Sequence, residues 1–412
     1  MRELLFSNRS AAALLAFQLL FFGGMWLSKM AHPLYFEEHS ALPLFGISYA
    51  TMALAGASTF FVGGFQDRWG PRGFIIAGSL LYALGLALRI YYTSTALAVL
   101  SGLLAGLGAS VVLIGMRVWT FGVTTEESRP KVVGIRRVGQ QIGTSAGTGA
   151  AGLALGVYGL TSGARGVLLV AAVLVAGAAT LALLAPGRVH TKSTAGEHTE
   201  AEPPSKRPVA LALAVAALGA IGGLYTSFVT PYLPLILRDR GMDVALVGLV
   251  IGAVGVVTGL VGPAFAARVK SERALRALVA AESVALVATV LLIPGWGVIV
   301  AVTALTLRAI GFASSATSEE VVQGRYFPIA HLGLLFGVSQ GGFLTGDALG
   351  GLASGFVYDV HGASTALAVS AVLVATNCAA YPIFVAWRRR VQVGPDEQSA
   401  DPASATQEAN RP

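Results

Sequence analysis

The sequence predicts an all-α integral membrane protein with twelve transmembrane helices, arranged as two pseudo-symmetric bundles of six. Composition gives the class: 55% of the 412 residues are hydrophobic, 12% are charged and the mean hydropathy is +0.71. A soluble chain of this length needs more charged residues to cover its surface. Apolar runs of membrane-spanning length recur along the chain, and one polar interruption divides them into two groups of six.

A helix needs about 20 apolar residues to cross the hydrocarbon core. The apolar runs lack period-two alternation, and an open backbone is not satisfied in lipid, so each run predicts a helix rather than a barrel strand. The first run is too long for a signal peptide and eleven others follow it. The predicted spans are 11–36, 42–66, 73–93, 96–120, 137–160, 164–186, 209–237, 244–268, 274–293, 297–318, 331–357 and 363–387.

Two polar segments set the predicted domain boundaries. Residues 1–186 form an N-terminal bundle, 187–208 a cytoplasmic linker and 209–390 a C-terminal bundle. Residues 391–412 lack apolar side chains to bury and are expected to be a disordered cytoplasmic tail.

Most of the 28 Lys and Arg residues fall on one side of the predicted spans. The positive-inside rule then places both termini in the cytoplasm and the protein in the plasma membrane. Arg89 falls near the outer end of the third span, where we expect a snorkelling anchor.

Several function classes are disfavoured. The basic residues occupy short gaps between spans, so nucleic-acid binding is not expected. The single cysteine, Cys378, cannot form a disulfide framework or a thiolate metal site, and we expect neither metal nor cofactor. Six scattered histidines give no catalytic cluster, and the sequence has no phosphate-binding loop.

The two predicted halves resemble each other in sequence. GGMWLSKMAHPLY at 23–35 parallels GGLYTSFVTPYLP at 222–234, and TTEE at 124–127 parallels TSEE at 317–320. Repeated bundles with a central site are typical of secondary transporters.

The loop between the second and third spans reads GGFQDRWGPRG and carries the pattern G-x-x-x-D-R-x-G-x-R at Gly63, Asp67, Arg68, Gly70 and Arg72. This pattern resembles the loop signature of the major facilitator superfamily. The resemblance implies two six-helix bundles around a central cavity with alternating access. It also implies a cytoplasmic latch, in which Gly63 permits close helix approach, Asp67 pairs with the other half, and Arg68 and Arg72 hold the turn. A generic basic loop is the alternative.

Ionisable residues inside spans are costly, so they are candidates for the substrate site. Arg308 falls near the middle of the tenth span, as a binder of an anionic or carbonyl group or as half of a structural ion pair. Lys29 is a candidate in the first span, although a snorkelling lysine is an alternative. Asp347 is expected to pair with a cation or bind a proton. The aromatic candidates for the pocket are Trp26 and Tyr225.

Glu282 is central in the ninth span, which is peripheral in this fold, so we expect it away from the cavity. The charges ending spans four and ten suggest either a gate network with the second loop or ordinary interfacial charge: Arg117, Glu126, Glu127, Glu319 and Glu320. Glycines in the fifth and eleventh spans recur at near-four-residue spacing, which lets helices of opposite halves approach and slide. Ordinary tight packing without motion is the alternative.

The leading hypothesis is a monomeric secondary transporter of a small organic solute, leaning to an organic anion because Arg308 and Lys29 are basic. Proton coupling would use Asp347 or a substrate carboxylate. The alternative is efflux of amphipathic drugs. A membrane receptor or membrane enzyme is a different class that nothing in the sequence favours.

Overall fold

The computed structural model describes residues 9–57, 59–91, 93–122, 129–186, 208–266, 268–327 and 332–392. Residues 187–207 of the predicted linker and 393–412 of the predicted tail lie outside the described residues, while residue 208 and residues 391–392 are helical.

The described residues are helical throughout and contain no strand. The helices are α1 (Arg9–Glu38), α2 (Leu42–Ala57), α3 (Thr59–Leu88), α4 (Thr95–Gly122), α5 (Arg129–Tyr158), α6 (Leu160–Leu181), α7 (Pro208–Ser227), α8 (Leu233–Asp239), α9 (Val244–Ala266), α10 (Ala274–Leu291), α11 (Val298–Tyr326) and α12 (Leu332–Gln392). Short 3-10 turns at Ala182–Leu184, Thr230–Tyr232 and Ser271–Arg273 extend or precede three of them.

Nine helices of the described chain are long and apolar enough to cross a membrane. One of them covers two spans, because α12 has 61 residues and bends at Gly362, where φ is 75°. A straight helix of that length would measure about 90 Å, about three times the hydrocarbon core. α3 bends in the same way at Gly70, where φ is 68°. Its first arm, before Gly70, follows α2 in the chain, and the two together form one predicted span. The nine helices do not include α5, which is more polar but long enough to cross the membrane. Counting α5, the span formed by α2 with the first arm of α3, and two spans in α12, the order is consistent with twelve spans.

The helices pack as two groups, the first half (α1–α6) and the second half (α7–α12). In the first half α1 packs on α5 and α6, while α4 packs on α2 and α3. In the second half α12 packs on α7 and α10, and α11 packs on α9 and α10. The halves meet mainly through two helix pairs, α5 with α9 and α2 with the first arm of α12. The two pairs are equivalent under the internal repeat, because α5 corresponds to the first arm of α12 and α9 corresponds to α2. This equivalence agrees with the predicted pseudo-symmetry.

The glycine series of α5 contacts two different partners. Gly143 and Gly147 pack on the α1 backbone at Leu19 and Gly23, within the first half. The prediction that the series serves the contact between halves is therefore wrong for this part of α5. Further along the helix, the backbones of opposite halves do touch, because a Cβ added to Gly152 would lie 2.6 Å from the Cα of a glycine on α9.

The second crossing has the same construction. A Cβ added to Gly46 of α2 would lie 3.0 Å from the Cα of Gly355 on α12, and the reverse addition gives the same distance. Both crossings thus place glycine against glycine where the two halves meet, and a side chain at either point would push the halves apart.

Replacing Gly248, the α9 partner of Gly152, with valine is expected to destabilise the protein by about 1–3 kcal/mol, the usual cost of overpacking. An added Cβ would lie 2.5 Å from the Cα of Gly152. Thermal unfolding in detergent measures the effect. The matched control is Gly177→Val on α6, where an added Cβ meets nothing within 4 Å. Equal melting temperatures for the two variants would contradict the proposed backbone contact.

Candidate substrate cavity

A cavity of about 490 Å³ lies between the two halves. Residues of α1, α2, α5, α9 and α11 line it, together with Arg89 after α3, the segment that joins α7 to α8 and the start of α8. Most of this wall is apolar, with contributions from Trp26, Met30, Phe45, Met52, Ile251, Val254, Leu305 and Phe312. No Asp or Glu is among the described residues that line the cavity.

Arg308 lies in this wall, as the sequence suggested. Its side chain is only 3% exposed, and its Cζ lies 4.6 Å from the ring centroid of Phe312. Nε and Nη2 have no hydrogen-bond partner, and no described carboxylate forms an ion pair with the guanidinium. A buried guanidinium without an ionic partner is costly unless water or another polar group can reach it.

Lys29 and Trp26 also line the cavity, on α1. The Lys29 ammonium lies 4.7 Å from the Trp26 ring centroid and forms no ion pair among the described residues. Asp347 is buried behind Tyr49, whose hydroxyl donates to Asp347 Oδ1 at 3.2 Å. Asp347 interacts electrostatically with Lys29 but does not line the cavity, so it balances a cation from behind the wall.

Tyr225 lies behind the cavity wall rather than in it. Its ring stacks on Phe312 with centroids 5.1 Å apart, and Phe312 lies under Arg308. Tyr225 therefore supports the ring that carries Arg308 and does not contact the cavity.

Arg89 corrects an expectation from the sequence. It follows the end of α3, yet it is 3% exposed and lines the cavity instead of reaching an outer surface. Its Nη1 donates to Ser28 Oγ at 2.8 Å, its Nη2 contacts Met52 Sδ at 3.4 Å, and its Nε has no partner. The hydrogen bond to Ser28 of α1 holds the Arg89 side chain inside the protein. No sequence pattern predicts this contact.

The cavity therefore receives positive charge from both halves. Lys29 and Arg89 come from the first half, and Arg308 comes from the second half. Opposing cations across a low-dielectric cavity repel each other, and a bound anion relieves that repulsion.

The cavity is closed at the end of the molecule where α1 and α8 end, which we call the closed end. Glu37 of α1 forms an ion pair with Arg238 of α8. Beside this pair, the hydroxyl of Tyr358 donates to Asp239 at 2.8 Å. The Tyr358 ring also stacks on Tyr232, with centroids 5.2 Å apart. The ion pair joins the two halves across the closed end, and the Tyr358 contacts hold α12 against α8 within the second half.

Reversing the charge of Arg238 (Arg238→Glu) places two carboxylates together and is expected to open the closed end. Spin labels at Tyr91→Cys and Trp296→Cys, two exposed sites on opposite halves at this end, report the separation in a Cys378→Ser background. The distance distribution should shift to longer values.

The charge swap Glu37→Arg with Arg238→Glu is expected to restore the original distribution, because the ion pair re-forms. A single mutant whose distances match the parent would show that the ion pair does not hold this end closed.

The loop signature has a role within the first half. Gly70 takes a φ of 68°, which makes the bend between the two arms of α3. Arg72 donates from Nε and Nη2 to the carbonyl oxygen of Ala185, at 2.9 and 2.8 Å. This carbonyl follows the turn that ends α6, so Arg72 caps that helix end. Gly63 falls in the first arm of α3, and the side chains of Asp67 and Arg68 lie outside the part of the chain that the structure describes.

Removing this cap with Arg72→Ala is expected to lower stability by about 1 kcal/mol, since a carbonyl at a helix end loses both donors. The control is Arg165→Ala, another exposed arginine, within α6. Thermal unfolding compares them. A larger loss for Arg165→Ala would contradict the capping role.

Glu319, near the end of α11, has no contact with the loop between the second and third predicted spans among the described residues. Glu319 Oε1 accepts from Gln323 Nε2 at 2.8 Å and from the hydroxyl of Tyr381, all within the second half. Glu126 and Glu127 lie outside the described residues, and Arg117 is exposed. Glu319 is thus part of an internal polar cluster rather than a described gate contact.

The sequence model of the Major Facilitator Superfamily matches residues 14–319. The chain belongs to the Major Facilitator Superfamily. It is a multi-pass membrane transporter for small molecules and not an enzyme. No curated protein matches the sequence.

Solved structures of this superfamily share the fold. The nucleoside transporter NupG superposes with a TM-score of 0.72 at 15% identity, over 91% of this chain and 99% of that one. A bacterial homolog of the human lysosomal transporter Spinster, inward-facing and occupied, gives 0.70 at 13% identity, over 91% and 96%. The D-xylose-proton symporter gives 0.66 at 13% identity, over 90% and 96%. At these identities the likeness concerns the fold alone.

Proposed function

We propose that this transporter moves a small amphipathic organic anion across the plasma membrane by alternating access, together with protons. The observation that carries the proposal is Arg308, whose buried guanidinium lines the cavity and has no acidic partner in the described part of the chain. A carboxylate, sulfonate or phosphate is the chemical group that a planar guanidinium binds best.

The other half of the cavity supports the same substrate class. Lys29 and Arg89 lie across from Arg308 on the first half, so one anion bridging the halves would be held by charges from both. A ligand that contacts both halves stabilises the conformation in which they approach, and this differential binding drives alternating access.

The apolar part of the cavity wall indicates the chemistry of the substrate beyond its anionic group. Trp26, Phe45 and Phe312 offer aromatic faces beside the cations. An anionic group joined to an apolar or aromatic body fits this combination, and a volume of about 490 Å³ lies within the usual range for small-molecule pockets.

Orientation and coupling complete the proposal. With both termini in the cytoplasm, the closed end faces outward and the described contacts correspond to an inward-facing state. We assign the protein as a monomer, with protons as the coupling ion. Asp347 accepts a hydrogen bond from Tyr49, and its negative charge offsets the positive charge of Lys29.

Drug efflux is the alternative, and the cavity does not support it. A lipophilic cation needs an acid in the wall, and the described lining residues offer arginines and a lysine instead.

Arg308→Ala is expected to weaken anion binding roughly tenfold to a hundredfold, the loss of charge-assisted hydrogen bonds worth about 1.5–3 kcal/mol. The measurement is the ligand-induced rise in melting temperature of the purified protein. The panel includes benzoate, aliphatic carboxylates, sulfonates, organic phosphates, sugars, nucleosides and lipophilic cations.

Arg276→Ala, an exposed arginine on α10, is the matched control and should keep the wild-type response. Anions that stabilise wild type and Arg308→Ala equally, or stabilisation only by lipophilic cations, would reject the anion assignment.

A further inference from the structure

A second polar region lies inside the second half, on the far side of Phe312 from the central cavity. It contains a separate cavity of about 190 Å³. The polar residues of its wall come from α7, α11 and α12 and include Tyr225, Glu319, Gln323, Ser339 and Asn377.

Glu282 of α10 is the most deeply buried acid of this region, at 1% exposure. Its Oε1 accepts hydrogen bonds from Ser315 Oγ at 2.6 Å, Asn377 Nδ2 at 3.1 Å and Tyr225 Oη at 3.4 Å. Among the residues that the structure describes, its Oε2 has no partner, and neither has Oδ1 of Asn377, a side chain only 2% exposed.

This asymmetry fits a carboxylic acid. An ionised Oε2 without a donor is costly to bury. A protonated Glu282 carries its hydrogen on Oε2, and its carbonyl oxygen, Oε1, accepts the three donors. The site is therefore prepared to accept a proton on one defined oxygen.

We propose that Glu282 is the coupling proton site of this transporter and that Arg308 links it to the anion in the central cavity. The link to the anion rests on the proposed function, whereas the proton site itself does not.

A physical chain joins the two sites. Arg308 lies on one face of Phe312, Tyr225 stacks on this ring, and the Tyr225 hydroxyl donates to Glu282. Arg308 and Glu282 also interact electrostatically without forming an ion pair. With the central cavity empty, the positive charge of Arg308 favours the Glu282 carboxylate.

Anion binding reverses this balance. A carboxylate on Arg308 cancels most of the positive field, so the buried Glu282 favours its neutral form and takes up a proton. The proton comes from a hydronium ion and leaves one water molecule behind, so the step balances. Anion and proton then load together, which is the behaviour of a symporter.

The smaller cavity provides the route for that proton. About 190 Å³ has room for several waters at about 30 Å³ each. Glu319 lies in its wall, about three helical turns closer than Arg308 to the α11 end at Tyr326. We therefore place Glu319 as the group that passes protons between this end and Glu282.

Titratable groups surround Glu282 and Glu319 from three packed helices, α7, α11 and α12. Tyr225 approaches from α7, and Arg308 and Glu319 from α11. Tyr381 of α12 and Glu320 of α11 act on Glu319 instead. Among these groups Arg308 carries the positive charge, so a bound anion that neutralises it removes the attraction that favours the Glu282 carboxylate, while the charge of Glu319 opposes that carboxylate.

A metal cation fits the site less well than a proton. The three side chains around Oε1 present hydrogens rather than lone pairs to it. The described residues also contain no group of three His, Cys, Asp or Glu that could hold a metal.

The first experiment needs no substrate. Infrared difference spectra of the full-length protein between acidic and alkaline buffer detect the carbonyl band of a protonated buried carboxyl. The band should be present in wild type and in Glu272→Gln, an exposed control, and lost in Glu282→Gln. Glutamine keeps an acceptor for the three donors, so the variant is expected to fold. An unchanged band in Glu282→Gln would overturn the proton site.

The second experiment tests the coupling with benzoate as the probe. A pH-indicator dye in weak buffer should report proton uptake when benzoate is added to wild type. Glu282→Gln should retain the benzoate-induced rise in melting temperature but lose the uptake. Uptake that persists in Glu282→Gln would overturn the coupling, as would stabilisation by sodium over choline that depends on Glu282.

The two proposals fail separately. If benzoate and every other anion leave wild type unchanged, the anion assignment is wrong, while the infrared band still decides whether Glu282 binds a proton.

Discussion

Arg308 holds a guanidinium inside the apolar helix bundle, and no described acid forms an ion pair with it. The charge of Arg308 cannot reach either surface from the middle of α11, and the aromatic ring beneath it supplies only weak compensation. Such a charge is stable only where water or an anion can reach it. The cavity between the halves provides that access, and its shape is therefore tied to the chemistry of one side chain.

The two halves enclose the cavity through contacts of two different kinds. Glycine-to-glycine crossings, such as Gly152 with Gly248, bring backbones together without interlocking side chains, which allows one half to rock on the other. The ion pair of Glu37 and Arg238 locks the closed end with partly exposed charges, an interaction that is weak enough to break during transport. A permanent apolar seal would be more stable and would not reopen.

The fold was predictable from the sequence to the level of helix order. Long apolar runs and a repeated half require a helical membrane bundle, and the loop at 63–72 indicates its family. The position of Arg308 and Lys29 in the cavity wall was also predictable, because a charged side chain inside a membrane span normally faces a cavity. Most of the linker and tail, at 187–207 and 393–412, lies outside the described residues, so those predictions remain predictions.

Other site residues depend on contacts that sequence does not encode locally. Arg89 turns inward because Ser28 of α1 lies within hydrogen-bonding distance, whereas its position near a span end suggests an anchor. Glu282 stays away from the central cavity, as expected, but three helices supply donors to it. Arg72 caps α6 through a carbonyl far along the chain. Each outcome requires the packing of distant helices to be known.

The most direct test of the central claim is a double-mutant cycle between the cations of the two halves. Benzoate affinity would be measured for wild type, Arg308→Gln, Arg89→Gln and the double mutant. If one anion bridges the halves, the two losses are coupled by about 1 kcal/mol or more, since both residues contact the same group. Losses that add within about 0.5 kcal/mol would show that the arginines act independently and would contradict a bridging anion.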